Sequence, residues 1–344
     1  MRLIINAILI ISLNRSAPYG DIVIPDRYGH SDQPMTQMRS NRVLLSADTG
    51  SPFNLEDTSA YQTWRQWKLQ HRPEIGEMLV PLENPFELRK TEKSRIEDLC
   101  RRCNAVVYKV SSDYPTTDKG LVHQLGLQLG LSRLDDNLRA DEDDITSLTV
   151  TEQQGNQYIP YTNRPLSWHT DGYYNSPEHQ VRGFILHCAQ PAAAGGENSL
   201  IDHEMVYIRI RDQNPAFIRA LMHPEAMTIP PNVDAGTEIR GACTGPVFSV
   251  DALTGSLHMR YSARKHNIVW RDDELTRDAA DLIRNVLDIN GIAYRYRLEA
   301  GEGVICNNVL HKRSGFNDSA DNKRLMYRAR YYDRVAETGL NPSG

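Results

Sequence analysis

The sequence predicts a mainly β fold (α+β): two facing antiparallel sheets, a jelly roll, with helices packed outside and inserted. Three observations carry this. Many short runs read as strands, among them "AVVYKV", "VRGFILHCA", "GVICNNV" and "LMYRARYYD". Helical patterns are few and do not alternate with strands, as a doubly wound parallel sheet requires. Long insertions separate the strands in the second half, which suits a jelly roll.

In chain order, residues 14–57 are rich in Ser, Pro, Asp, Asn and Gly and read as irregular lead-in. "AYQTWRQWKLQHRP" is helical and stops at a proline. "GEMLVPL" is a strand. "RKTEKSRIEDLCRRC" puts Ile96, Leu99 and Cys103 on one helical face. After the strand at 105–110, "TDKGLVHQLGLQLGL" is an apolar-striped helix, and an acidic loop feeds "ITSLTV". "IDHEMVYIRIRDQNPAFIRALM" reads as two short helices broken at Pro215, and "DELTRDAADLIRNVLDIN" as an amphipathic helix opened by acids. "GPVFSV", "LHMRYS" and "AYRYRLE" complete the strands. The expected organisation is a flexible extension over 1–40, one catalytic domain over 41–335 and a tail over 336–344.

Composition narrows the function classes. The chain has 344 residues, 40% hydrophobic, with net charge -5 and pI near 6.1. This balance gives no global case for nucleic-acid binding. Five scattered cysteines do not make a disulfide framework, and a reducing cytoplasm is expected. Arg2 and the apolar run to Leu13 resemble a weak signal peptide, but the run is too short to span a bilayer. It reads as a floppy extension, with Met35 and Met38 as other starts. The expected partner is a small-molecule substrate, with no stable membrane span, and a homo-oligomer is compatible with the sequence.

The chemistry centres on "LSWHTDGYYN" at 166–175. In extended chain, residues i and i+2 share a face, so His169 and Asp171 aim at one point while Thr170 turns away. Gly172 lets the backbone leave sharply. Two ligands are too few for a tight site. His311, in "GVICNNVLHKRSGF", offers the third, and a two-His-one-carboxylate set suits non-haem Fe(II). Hydrogen bonding alone would also explain a lone His-x-Asp. His187 reads equally well as core, His258 and His266 as flanks of a basic segment, and His71, His123, His179, His203 and His223 as surface or helix-end residues. Arg324 and Arg328 are four apart on a strand and share a face. A buried guanidinium needs an anion, from a ligand or from the fold itself.

These stretches together resemble the Fe(II)/2-oxoglutarate-dependent dioxygenases of the TauD/TfdA (taurine dioxygenase) family. "HTD" at 169–171, "GGEN" at 195–198, "NNVLHKRSGF" at 307–316 and "RLMYR" at 324–328 carry the resemblance. "YTNRPLSWHTDGYYN" and "LHCAQPAAAGGENSLID" also resemble the γ-butyrobetaine/trimethyllysine hydroxylase branch. The resemblance implies a double-stranded β-helix and an iron site of His169, Asp171 and His311. It implies Arg324 as the clasp of the distal 2-oxoglutarate carboxylate. Asn198 falls where relatives hydrogen-bond that co-substrate, and Arg328 where they hold the co-substrate or an anionic substrate. The implied reaction uses Fe(II), 2-oxoglutarate and O2 to hydroxylate an unactivated C–H of a small anionic or zwitterionic metabolite, releasing succinate and CO2. A carboxylate at 171 favours hydroxylation over halogenation.

The substrate alternatives are a betaine-like amine, a sulfonate or phosphonate, and an acidic sugar of lipopolysaccharide, Kdo-type. A metal-holding jelly roll that binds without turnover is the non-enzyme alternative. Tyr158 and Tyr173 are candidate substrate contacts. With Tyr161, Tyr174, Tyr327 and Tyr331 they could form an aromatic cage, or simply pack. Arg260, Arg264 and Lys265 could read an acidic substrate, or be a solvated loop. A lone C-x-x-C, Cys100 and Cys103, lacks the second pair that zinc requires.

Overall fold

The computed structural model describes residues 50–135, 144–150, 159–234, 236–264 and 268–340. The expected extension over 1–40, Tyr158, Lys265 and His266 lie outside them. Ten strands make the two principal sheets: β1 (Leu79–Leu82), β2 (Ala105–Val110), β3 (Thr146–Leu148), β4 (Leu166–His169), β5 (Gly183–Gln190), β6 (Asn198–Ile201), β7 (Tyr294–Tyr296), β8 (Glu302–Cys306), β9 (Leu310–Arg313) and β10 (Leu325–Tyr331). The larger sheet runs β1-β2-β8-β5-β10-β3 and the smaller β7-β6-β9-β4. All neighbours are antiparallel except β1 and β2, which pair in parallel. That exception to the expected antiparallel sheets has a local cause: a helix crosses between the two strands, and parallel neighbours need such a crossover.

The two sheets share one apolar layer. Val107, Phe184, Cys188, Val304 and Met326 of the larger sheet meet Leu200 and Tyr294 of the smaller. On the outer side of the larger sheet, α2 (Lys90–Cys103) and α3 (Lys119–Gln128) cover Val106, Ile185, Tyr327 and Ala329. The other helices, α1 (Thr58–Gln70), α4 (His203–Gln213), α5 (Pro215–Leu221) and α6 (Glu274–Leu287), pack around Ile201 and Leu310 of the smaller sheet. A jelly roll with external helices is therefore the architecture.

Local chemistry sets the helix ends. Asp57 and Asp273 cap α1 and α6 by accepting from Ala60 N and Thr276 N, each at 2.9 Å. Asn214 ends α4 and caps α5, with Pro215 opening α5 where its missing N–H costs nothing. Asn104 ends α2 in the left-handed region, φ 59°. Cys100 and Cys103 are buried on the α2 face with Ile96 and Leu99. Burial pushes the Cys103 thiol up to about 12, so both cysteines pack rather than react.

Lys68 is a buried charge that periodicity did not flag. It pairs with Asp202 at 2.9 Å and with Glu204, fastening α1 to the start of α4. His203, read as a surface or helix-end residue, is buried there and its Nε2 bonds Leu257 O at 3.0 Å. Beyond residue 335, Ala336 N bonds Leu129 O and Leu340 N bonds Thr254 O, so 336–340 lie packed on the domain. Among the described residues, no helix is long and apolar enough to cross a membrane.

Candidate active site

β9 and β4 lie side by side in register, with His311 opposite His169. Directly opposed side chains project to the same face, and the two imidazole centroids are 4.2 Å apart. Each Nδ1 bonds the carbonyl two residues before it, Ser167 O at 2.9 Å and Val309 O at 3.0 Å. A carbonyl can only accept, so Nδ1 carries the proton and Nε2 presents a lone pair.

Asp171 completes the triangle. Thr170 turns away and its N–H reaches Tyr261 O at 3.0 Å. Asn308 clamps the Asp171 backbone on both sides, accepting from its N at 2.8 Å and donating to its O at 2.9 Å. Gly172 sits at φ +64°, and a Cβ there would fall 2.5 Å from Val181. The sharp exit therefore requires glycine. Asp171 Oδ1 lies 3.8 Å from His169 Nε2 and 3.9 Å from His311 Nε2, with one atom from each residue within 4.8 Å of the others.

The electrostatics suit a divalent cation. Burial, then the neighbouring His311, lowers His169 to about 3, and burial also lowers His311. Burial pushes the Asp171 carboxyl up, but Arg328, His311 and Arg330 together outweigh it and hold the group below the usual carboxylate range. The result is two neutral imidazoles beside one carboxylate. Asp171 Oδ2 is buried and has no hydrogen-bond partner among the described residues. An orphaned anionic oxygen is costly unless something positive takes it, so the donor set fits iron.

Strand alternation distributes the rest. Arg324, Met326, Arg328 and Arg330 share the inner face of β10 and its entry, while Tyr327, Ala329 and Tyr331 face α2 and α3. This removes Tyr327 and Tyr331 from any aromatic cage. Tyr174 is engaged too, accepting from Arg330 Nη1 at 2.9 Å. Tyr173 remains: its ring meets His169 edge-on at 6.4 Å, and its hydroxyl has no partner among the described residues.

Arg324 is 4% exposed and lies over the Phe316 ring. Its guanidinium makes no hydrogen bond or ion pair among the described residues, and burial lowers its pKa to about 10. Asn198 lines the same cleft, with Gly195 and Gly196. A dry, unpaired guanidinium beside an amide fits a carboxylate of the 2-oxoglutarate kind.

Arg328 departs from expectation. Placed by the family resemblance on the co-substrate or an anionic substrate, it donates Nη1 to Asp171 Oδ1 at 3.2 Å, the fold's own anion. The inner face of β10 passes directly beside the "HTD" turn, and the nearest anion is the site's own carboxylate. Arg260 is likewise consumed. It donates to four backbone carbonyls, those of Tyr173, Met227, Gly245 and Cys243, and so organises the loops around the site rather than reading a substrate. His187 is core, with both ring nitrogens bonded.

Sequence reasoning missed Asn308, the Asp171 clamp, and Phe184, whose ring lies 4.8 Å from that of His311. The left-handed φ of 49° at Asn308 is the kind of position Asn favours. The "NN" dipeptide was the available signal.

Comparison with known proteins agrees with this geometry. Residues 68–330 match the model of the taurine catabolism dioxygenase TauD, TfdA family. The chain belongs to this family. It is an enzyme, an iron- and 2-oxoglutarate-dependent dioxygenase, with O2 as the oxidant. A uridine-5'-phosphate dioxygenase from Streptomyces sp is 26% identical over 203 residues, 56% of this chain and 71% of that protein. Among solved structures, the non-heme iron oxygenase OrfP with Fe, succinate and (3R,4R)-dihydroxy-L-Arg superposes with TM-score 0.54 at 16% identity, covering 71% of this chain and 81% of that one. OrfP with Fe and alpha-ketoglutaric acid superposes with TM-score 0.50 at 16% identity, over 70% and 81%. At such identities these structures bear on the fold alone.

Proposed function

We propose that this dioxygenase hydroxylates an unactivated C–H of a small anionic or zwitterionic metabolite, releasing succinate and CO2. His169, Asp171 and His311 hold the iron. The two imidazole Nε2 atoms at 3.8 and 3.9 Å from the buried Asp171 carboxylate, whose Oδ2 has no partner among the described residues, are the observation that carries this assignment. Iron with 2-oxoglutarate and O2 supplies the oxidising power when bound; the chain supplies geometry and dryness. Arg324, with Asn198 beside it, holds the distal carboxylate of the co-substrate. Arg328 donates to Asp171 Oδ1, the oxygen that faces both Nε2 atoms, and so would hold the carboxylate in place for the metal.

The substrate class has separate support. The uridine-5'-phosphate dioxygenase acts on an anion by its name. On this chain, Arg264 follows two residues after Ser262, the bridge partner of His169, and its side chain has no partner among the described residues. It replaces Arg328 as the cation available to a substrate anion, with Tyr173 as the neighbouring contact.

Two measurements test the proposal. Anaerobic Fe(II) plus 2-oxoglutarate should give a visible charge-transfer band that is lost in Asp171→Ala. Retention of the band in that variant sinks the ligand assignment. A substrate screen followed by succinate release should favour anions and zwitterions, with Arg264→Met raising KM. An uncharged hydrocarbon as best substrate sinks the substrate class.

A further inference from the structure

A cavity of about 230 Å³ lies away from the iron triad, between the Asp251–His258 hairpin and the chain that follows β10. Its polar groups are unevenly engaged. Apart from Glu337, which is exposed, the side-chain carboxylates are taken: Asp251 pairs with Arg182 and accepts from Thr254 N and Oγ1. Asp333 accepts from Ser132 N, Arg133 N and Arg133 Nε. Asn307 Oδ1 accepts from Val335 N.

The donors are not. Ser256 is 4% exposed, and its Oγ is buried without a partner. His258 makes no hydrogen bond among the described residues. Arg334 uses Nε and Nη2 on Thr338 and Asn104, and its Nη1 has no partner among the described residues. Among the described residues, the Arg182 guanidinium is engaged through Nη1, on Asp251. Arg182 and Arg334 both lie close enough to His258 to act on it. Burial, then His203, Arg182 and Arg334, lowers its imidazole to about 3. Buried donors without acceptors are costly, and a ligand that brings acceptors and negative charge relieves them all.

We propose that this cavity binds a phosphate group, as inorganic phosphate or a small phosphomonoester. A carboxylate offers two oxygens on one plane, whereas a phosphate offers three acceptor oxygens to donors arriving from different sides. Ser256 Oγ, His258, Arg334 Nη1 and Arg182 are four such donors, and the volume leaves room for a small organic group. The site is distinct from the iron centre. Asn307 turns its amide to Asn104 and Thr338, while the next residue, Asn308, turns its own to Asp171.

The test is calorimetric titration of the full-length, anaerobic Fe(II)–2-oxoglutarate enzyme with inorganic phosphate and, separately, glycerol 3-phosphate. One equivalent should bind while 2-oxoglutarate stays in place, and tighter binding of the ester identifies it as the natural ligand form. Ser256→Ala and His258→Leu each remove a donor that makes no internal hydrogen bond, so both variants keep the fold. Each should weaken phosphate binding about tenfold, as expected for a bond to a charged group, with 2-oxoglutarate affinity unchanged. No heat with either ligand up to about 10 mM, well above the millimolar range of weak sites, overturns the proposal. So does undiminished binding in both variants, or displacement of 2-oxoglutarate by phosphate.

Discussion

β5 and β9 place a buried and a half-buried histidine in two different settings. His187, on the outer face of β5, is 0% exposed and lies between the rings of Tyr108 and Tyr327. Its Nδ1 faces Tyr108 Oη at 3.0 Å and its Nε2 faces Thr116 O at 2.9 Å. His311, on β9, meets Phe184 from the inner face of β5, and only its Nδ1 is bonded. Burial lowers the pKa of both. Burial and pKa therefore do not separate a core histidine from a ligand. The difference is the second nitrogen: satisfied within the fold at His187, left facing a carboxylate at His311 and His169.

The largest expected effect breaks the half-satisfied setting. Asp171→Ala should lower turnover by on the order of a thousandfold or more, beyond the 10–100-fold typical of outer partners, and lose Fe(II) to a chelator. His187→Gln, which keeps a donor and an acceptor, should stay within about threefold of wild type, because its site holds nothing but the fold. Equal losses in the two variants would erase the distinction.

Arg324→Met comes next. Truncating one partner of a desolvated charge pair costs about 2–5 kcal/mol, so KM for 2-oxoglutarate should rise roughly a hundredfold while kcat falls less. An unchanged KM removes Arg324 from the co-substrate. Arg328→Met should act more mildly and on the metal. It frees Asp171 Oδ1, and Fe(II) affinity should fall about 10–100-fold, read by metal titration, with KM for 2-oxoglutarate moving less than in Arg324→Met.

The smallest effect sharpens the His187 side. Its folded pKa, about 4, lies below the unfolded value. The unfolded chain therefore binds more protons between pH 4 and about 6.5, so stability is full above that window and lost as pH falls through it. Urea unfolding of metal-free protein should show His187→Gln losing less stability than wild type between pH 7 and 5, by about 1–2 kcal/mol. An identical slope would mean that His187 is not held neutral by its burial.

Local pattern carried much of this. The strand at 105–110, the break at Pro215 and the one-face stripe of α2 follow from period and punctuation, which depend on neighbours in the chain. His169 and Asp171 were legible because a two-residue spacing on extended chain fixes their common direction. Arg324 and Arg328 were legible as sharing a face for the same reason. The buried charge of Lys68 and the burial of His203 were not, because each depends on a partner far along the chain.

By itself, then, the sequence determined the jelly-roll class, the direction of the "HTD" pair and the family to which the chain belongs. Tertiary structure alone decided the partners. It opposed His311 to His169 across 142 positions, turned Arg328 onto Asp171 rather than a substrate, and spent Arg260 on four carbonyls. It also left Ser256 and His258 without acceptors around one cavity. The reason is physical. The side from which a side chain leaves the backbone is set within two or three residues, but which charge or lone pair it meets is set by the register of strands brought together from the whole chain.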